Sequence, residues 1–142
     1  MSFFDDVVAF HAKFELDHPG VAPPSLPDLD TYFYRRNFLL EELFELERAH
    51  AAGNLSEFAD ALVDLIYVAL GTASLAGLPF NEHWAEVQRA NMTKERAASS
   101  SDPRSKRKHH LDVVKPAGWT APNHEPILIE AMRRHGLVPP TA

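Results

Sequence analysis

Residues 56–71 read SEFADALVDLIYVALG. Most of this stretch has the apolar content of a helix meant for a protein interior, yet Glu57, Asp60 and Asp64 interrupt it. At about 100° per residue, with Asp60 set at zero, Asp64 falls near 40° and Glu57 near 60°. On the same count Leu62, Leu65, Ile66 and Ala69 lie on the far side, from roughly 140° to 240°. The three acids make one stripe on a helix that is otherwise apolar. No lysine or arginine lies between Glu57 and Gly71, so the stripe has no cation in its own helix to pair with.

Residues 39–47, LLEELFELE, repeat the pattern one helix earlier. Glu41, Glu42 and Glu45 span about 100° of that surface, with Leu39, Leu40, Leu43 and Phe44 on the other side. A Gly-Asn turn at residues 53–54 joins the two segments, and helices joined so tightly pack side by side. The acidic stripes can therefore face each other or one cleft. Carboxylates held together repel and resist ionisation unless cations occupy the site. Oxygen-only donors favour a hard ion, magnesium or manganese, over zinc. A solvated acidic face is the competing reading; it weakens for Asp60 and Asp64, whose neighbours are strongly apolar. Glu47 and His50 have the Glu-x-x-His spacing of bundle di-iron sites, but that architecture needs a second such pair, and the chain has none.

Outward from this hairpin, Ser2 can cap a first helix reaching about Glu15, with Asp5 and Asp6 in its first turn. DHPGVAPPSLP, residues 17–27, holds four prolines and a glycine and reads as a connector. The second helix starts near Asp28 or Asp30 and runs to about Ala52. Asn54 or Ser56 caps the third, which Gly77 and Pro79 stop near Ala76. Asn81 can cap a fourth helix running through residues 81–98, with Trp84, Val87 and Met92 toward a core. SSSDPRSKRKHH, residues 99–110, is polar and basic, so a mobile loop is expected over about 98–112. Its basic part, 104–110, reads as a solvated loop, a lid over phosphates, or a nucleic-acid contact, the last disfavoured by the acidic total. HEPILIEAMRRHG, residues 124–136, reads as a short last helix. The expected architecture is all-α, one domain over residues 1–142 built as a bundle of four to five helices.

The chain is long enough, at 142 residues, to bury a core without staples. Absence of cysteine excludes disulfides and thiolate chemistry and fits a reducing cytoplasm. A net charge of -6 argues against nucleic acid as a partner. The N-terminus does not read as a signal peptide. The most apolar window, residues 65–80, is shorter than the roughly 20 residues of a membrane span, so a buried bundle helix is expected.

EELFE (41–45), EFADALVDLIYVALGTASLAGL (57–78), WAEVQRANMTK (84–94) and KPAGW (115–119) together resemble the MazG-like, all-α nucleoside triphosphate pyrophosphohydrolases, over roughly residues 32 to 120. Glu41, Glu42 and Glu45 match the family's Glu-Glu-x-x-Glu, and Glu57 and Asp60 match its Glu-x-x-Asp literally. The DLIYV context, however, places the metal-binding aspartate at Asp64; the glutamate three residues earlier would fall on Ala61, and Asp60 can take that role. The resemblance implies magnesium-dependent cleavage of a nucleoside triphosphate to the monophosphate and pyrophosphate, manganese being able to substitute. Glu42, Glu45, Asp60 and Asp64, with Glu57 as a further candidate, would bind metal, and Glu41 would orient or deprotonate the attacking water. Asn91 and Lys94 match an Asn-x-x-Lys element and are expected to contact phosphate or sugar. Lys115 is the next candidate, and Trp119 could pack on the base or anchor its loop.

Likeness to phage-type members leans the substrate toward dGTP or GTP rather than dUTP. Phosphoribosyl-ATP pyrophosphohydrolase, of similar fold, is the enzymatic alternative, and a non-catalytic helical adaptor with an acidic groove is the other. Family members pair into homodimers or homotetramers, and the apolar first helix is compatible with that. On the wheel Gly71 falls near 20° and Ser74 near 320°, continuing the acidic stripe as a path of small residues, read as space for a ligand. Tyr67, near 340° on that count, borders the path and could line a nucleoside pocket.

Overall fold

The computed structural model describes residues 1–17 and 22–137. Part of the proline-rich connector, residues 18–21, lies outside the described residues. Five helices dominate: α1 (Phe3–Lys13), α2 (Leu29–Ala51), α3 (Leu55–Leu75), α4 (Phe80–Met92) and α5 (Glu125–Arg134). The all-α reading holds. A two-stranded antiparallel ribbon, β1 (Glu95–Arg96) with β2 (Val113–Val114), is an addition that residue patterning did not signal.

Local chemistry explains the boundaries. Ser2 and Asp5 form a reciprocal capping box at α1. Asp28 caps α2 and Asn54 caps α3, each side chain accepting from the backbone N–H three residues on. After α3 the chain turns at Gly77, with φ of +65°. A Cβ there would lie 3.2 Å from the carbonyl oxygen of Ala22, so glycine both adopts the left-handed turn and admits the connector. At α4 the expectation fails at both ends. The helix starts at Phe80, directly after Pro79, so Asn81 lies inside it; it stops at Met92 and leaves Lys94 outside. Trp84 and Met92 are exposed, and Ala90 is its buried residue.

The chain divides into two compact units: residues up to Phe80 together with those from Leu128, and Asn81–Ile127. In the first, α3 packs against both α2 and α1. By length and composition α3 could cross a membrane, being 21 residues long. It starts ten residues before the apolar window that the sequence singled out, so it includes all three carboxylates. Its buried residues are chiefly small, among them Ala61, Gly71, Ala73 and Ser74, which lets neighbouring helices approach closely. Leu43, Phe44, Leu62, Val63 and Ile66 remain 40–59% exposed. The apolar backs of α2 and α3, expected inside, are thus uncovered in the single chain.

In the second unit, residues 97–114 are crossed by hydrogen bonds where a mobile loop was expected. Asp112, 5% exposed, accepts from Ser105 Oγ at 2.6 Å, Arg107 Nη1 at 2.7 Å and the Val113 N–H at 3.0 Å. Asp102, 6% exposed, accepts from the N–H of Ala98 and of Arg104 and from the Arg104 guanidinium. Lys108 Nζ donates to the Asp102 carbonyl at 3.0 Å. Serines, aspartates and basic residues usually signal a solvated loop; here two buried aspartates gather the donors.

Candidate active site

The carboxylates meet along the α2–α3 seam. Glu42 is buried at 7% exposure, and its Oε2 has no hydrogen-bond partner. Its pKa is raised above the ordinary glutamate value, first by burial and then by the negative charges of Asp64, Glu45, Glu41 and Asp60. Asp64 is half-buried and likewise raised, by burial and then by Asp60 and Glu45. Five of the six acids from the two stripes therefore act on one another. Glu57 stands in the first turn of α3, where its N–H donates to Asn54 Oδ1. Glu41, Glu45 and Asp60 are exposed, and Glu45 pairs with Arg48 at 3.2 Å.

Among the described residues no group of three or more histidine, aspartate or glutamate side chains is already disposed to hold a metal ion. The donor set nevertheless fits a hard divalent cation. All its atoms are carboxylate oxygens, one is buried and unpartnered, and burial and then mutual repulsion raise the pKa of two groups. Nearby positive charge would relieve each of these penalties at once.

Glu42 and Asp64 also line a cavity of about 320 Å³. Arg35 and His11 enter the same cavity, and sequence reasoning missed both. Arg35 precedes Glu42 by two turns, about 20° away on the wheel, a signal the acidic pattern obscured. It is 7% exposed; Nε donates to Thr72 Oγ1 at 3.1 Å and Nη2 to the Val68 carbonyl at 2.7 Å. His11 Nδ1 lies 2.7 Å from Asp17 Oδ2, which also accepts from Ser74 Oγ at 2.8 Å. Nothing in residue spacing announces that contact, because it crosses the end of α1.

Gly71 explains how these groups fit, and corrects the reading of a small-residue path open to ligand. A Cβ on Gly71 would lie 2.7 Å from His11 Nε2 and 2.8 Å from Arg35 Nη2. The glycine admits two of the protein's own side chains. Ser74 is engaged with Asp17 and lines a different cavity, beside Phe4, Val8 and Gly77. Tyr67 lines the cavity and packs edge-on against Phe10, ring centres 5.5 Å apart.

Four other predicted residues meet in the second unit. Lys94 Nζ donates to Asn91 Oδ1 at 2.8 Å and lies 5.6 Å from the Trp119 ring centre, with Lys115 Nζ 4.3 Å from the same ring. Trp119 Nε1 donates to the Ala90 carbonyl at 2.8 Å, so the indole anchors its loop while carrying two ammonium groups.

No curated protein gives a significant match to the chain. The sequence pattern of the phosphoribosyl-ATP pyrophosphohydrolase family, however, matches residues 7–91, more than half of the 142 residues and all of the carboxylate seam. The chain belongs to the phosphoribosyl-ATP pyrophosphohydrolase family, within the MazG-like all-α group of pyrophosphohydrolases.

Proposed function

We propose that the chain hydrolyses the α–β phosphoanhydride of a nucleoside triphosphate or a phosphoribosylated derivative of one, releasing pyrophosphate and leaving the monophosphate. The observation that carries this reading is Glu42, a buried carboxylate with an unpartnered oxygen among four further acids. A buried acid without a cation is costly unless the working state supplies one.

Glu42, Glu45, Asp60 and Asp64 are the residues that would hold magnesium, with manganese as substitute and Glu57 as a peripheral candidate. Magnesium bound there would neutralise triphosphate charge and polarise phosphorus. Glu41, which is exposed, takes the proton of the attacking water. The water oxygen joins phosphorus as the bridging P–O bond breaks and pyrophosphate leaves with the electron pair. In the second unit the ammonium groups of Lys94 and Lys115, with Asn91 and Trp119 beside them, have the donor character that phosphate or sugar oxygens require.

The family match favours phosphoribosyl-ATP as substrate. The lean toward dGTP or GTP rests on likeness to phage-type members alone. The exposed apolar backs of α2 and α3 suit assembly with further copies of the chain as a homodimer or homotetramer. Pyrophosphate release from a panel of nucleoside triphosphates and phosphoribosyl-ATP, with and without magnesium or manganese, tests the reading beside Asp64→Asn. Metal-dependent release lost in the variant is expected. Release from nothing in the panel would favour an adaptor whose acidic groove binds a basic partner.

A further inference from the structure

The cavity beside Glu42 and Asp64 carries two polar groups, Arg35 and His11, that the hydrolysis does not use, and both are fixed from behind. Arg35 is held through Nε by Thr72 Oγ1 and through Nη2 by the Val68 carbonyl, one bond each. A guanidinium has five N–H donors and no acceptor, so three N–H groups remain for a ligand. His11 Nδ1 donates to the Asp17 carboxylate 2.7 Å away, which leaves Nε2 of the neutral ring as an acceptor. Ser74 donates to the same Asp17 oxygen and steadies it. Gly71 brings the two working ends together: His11 Nε2 and Arg35 Nη2 lie 2.7 and 2.8 Å from the one point where a Cβ on residue 71 would stand. The cavity therefore offers an acceptor and a set of donors side by side.

Rings of Phe10, Tyr34, Phe38 and Tyr67 form apolar walls, and Glu42 and Asp64 share the lining. An anionic group fits poorly beside those acids. A hydroxyl both donates and accepts, so it can satisfy His11, Arg35 or a carboxylate alike. Two adjacent hydroxyls on a ring with apolar faces match the whole lining, and the 2′,3′-diol of a ribose has that form. In a nucleotide the sugar is also the part joined directly to the α-phosphate. A cavity that shares Glu42 and Asp64 with the metal seam proposed above lies where the sugar follows the reacting phosphorus, one ring nearer than the base.

We propose that this cavity is the ribose subsite, in which His11 accepts a hydrogen bond from one hydroxyl of the 2′,3′-diol and Arg35 donates to the other, with Asp17 as a positioning residue behind His11. The proposal rests on the pyrophosphohydrolase reading and deepens it: the substrate is a ribonucleotide rather than a deoxyribonucleotide, whichever base it carries.

The test uses α,β-methylene triphosphates of adenosine and guanosine, which cannot be cleaved at the α–β linkage, each as the ribo, 2′-deoxy and 3′-deoxy compound. Binding is measured by calorimetry in magnesium. Within a base series that binds, the ribo compound is expected to bind at least about tenfold more tightly than either deoxy compound. Arg35→Met and His11→Phe should each bring the three within a factor of about three. Asp17→Ala should shrink the ratio between ribo and deoxy compounds, whereas a merely structural role would weaken all three equally and would remove Asp17 from the proposal. Melting curves report whether each variant folds; where one does not, the wild-type series decides alone. Deoxy compounds binding as tightly as the ribo compound in the wild type overturn the proposal and are what a contact to the base edge would give. A folded Arg35→Met or His11→Phe that keeps the preference overturns it too. If pyrophosphate is released from natural nucleotides while ribo and deoxy analogues bind alike, or while none of them binds, the sugar assignment fails and the pyrophosphohydrolase reading stands. No binding of any analogue together with no pyrophosphate release overturns both.

Discussion

Two groups of carboxylates in this chain are chemically alike and physically opposite. Along the α2–α3 seam Glu42 and Asp64 face other acids, and burial and repulsion raise both pKa values. In the 97–114 segment Asp102 and Asp112 face arginines, a serine and backbone N–H groups; Asp102 falls well below the ordinary range and Asp112 is pushed down to about 2. A paired acid has finished its work when the chain has folded: it gathers donors and fixes a loop. An unpaired cluster keeps electrostatic free energy in reserve, which a cation can release. The contrast separates acids that folding pairs from acids that it leaves facing one another, without reference to their order in the sequence.

The contrast breaks most decisively at Asp64. Asp64→Asn should lower metal-dependent pyrophosphate release by about 100-fold or more, the scale of losing a group that stabilises transition-state charge. Retained turnover with that variant would detach the seam from the chemistry. Magnesium itself should raise the melting temperature, by an amount equivalent to about 2.7 kcal/mol at a hundredfold excess over its Kd. Asp64→Asn should lose most of that gain, and a chelator should reverse it.

Gly71→Leu is expected to destabilise the first unit by about 1–3 kcal/mol, because its side chain must displace His11 and Arg35. Chemical denaturation measures this; unchanged stability with only a raised KM would restore the open path read from the helical wheel. Ser105→Ala should cost about 1 kcal/mol by removing one donor from Asp112 and an acceptor for the Lys108 N–H, with turnover little affected.

Acid sharpens the same comparison. Glu42 and Asp64 have raised pKa values in the folded state, so folding takes up protons between the ordinary carboxylate range and those raised values. In the metal-free protein their penalty is full above the raised values and fades as pH falls through that window. Asp112 is lowered, so its contribution is present above about pH 4 and is lost as pH falls toward about 2. Metal-free melting curves should therefore show a stability gain on mild acidification, weakened in Asp64→Asn, before the fall at lower pH.

Much of the fold was legible because it is governed by local chemistry. Ser2, Asp28 and Asn54 sit where orphan N–H groups need acceptors, and Gly77 sits where the chain must turn left-handed. The acidic stripes were legible for the same reason, since helical spacing alone places Asp60 with Asp64 and Glu42 with Glu45. Contacts between elements were not. Residue spacing could not foresee that the space over Gly71 is filled by His11 and Arg35, that Asp17 joins His11 to Ser74, or that Asp102 and Asp112 gather a serine-rich segment. Nor could it tell that Leu62 and Ile66, apolar by pattern, stay uncovered. Helix periodicity is a short-range property carried by each residue and its neighbours three or four positions away. Which face meets which, and whether a buried charge finds a partner, depends on side chains distant in sequence and is decided only when the helices pack.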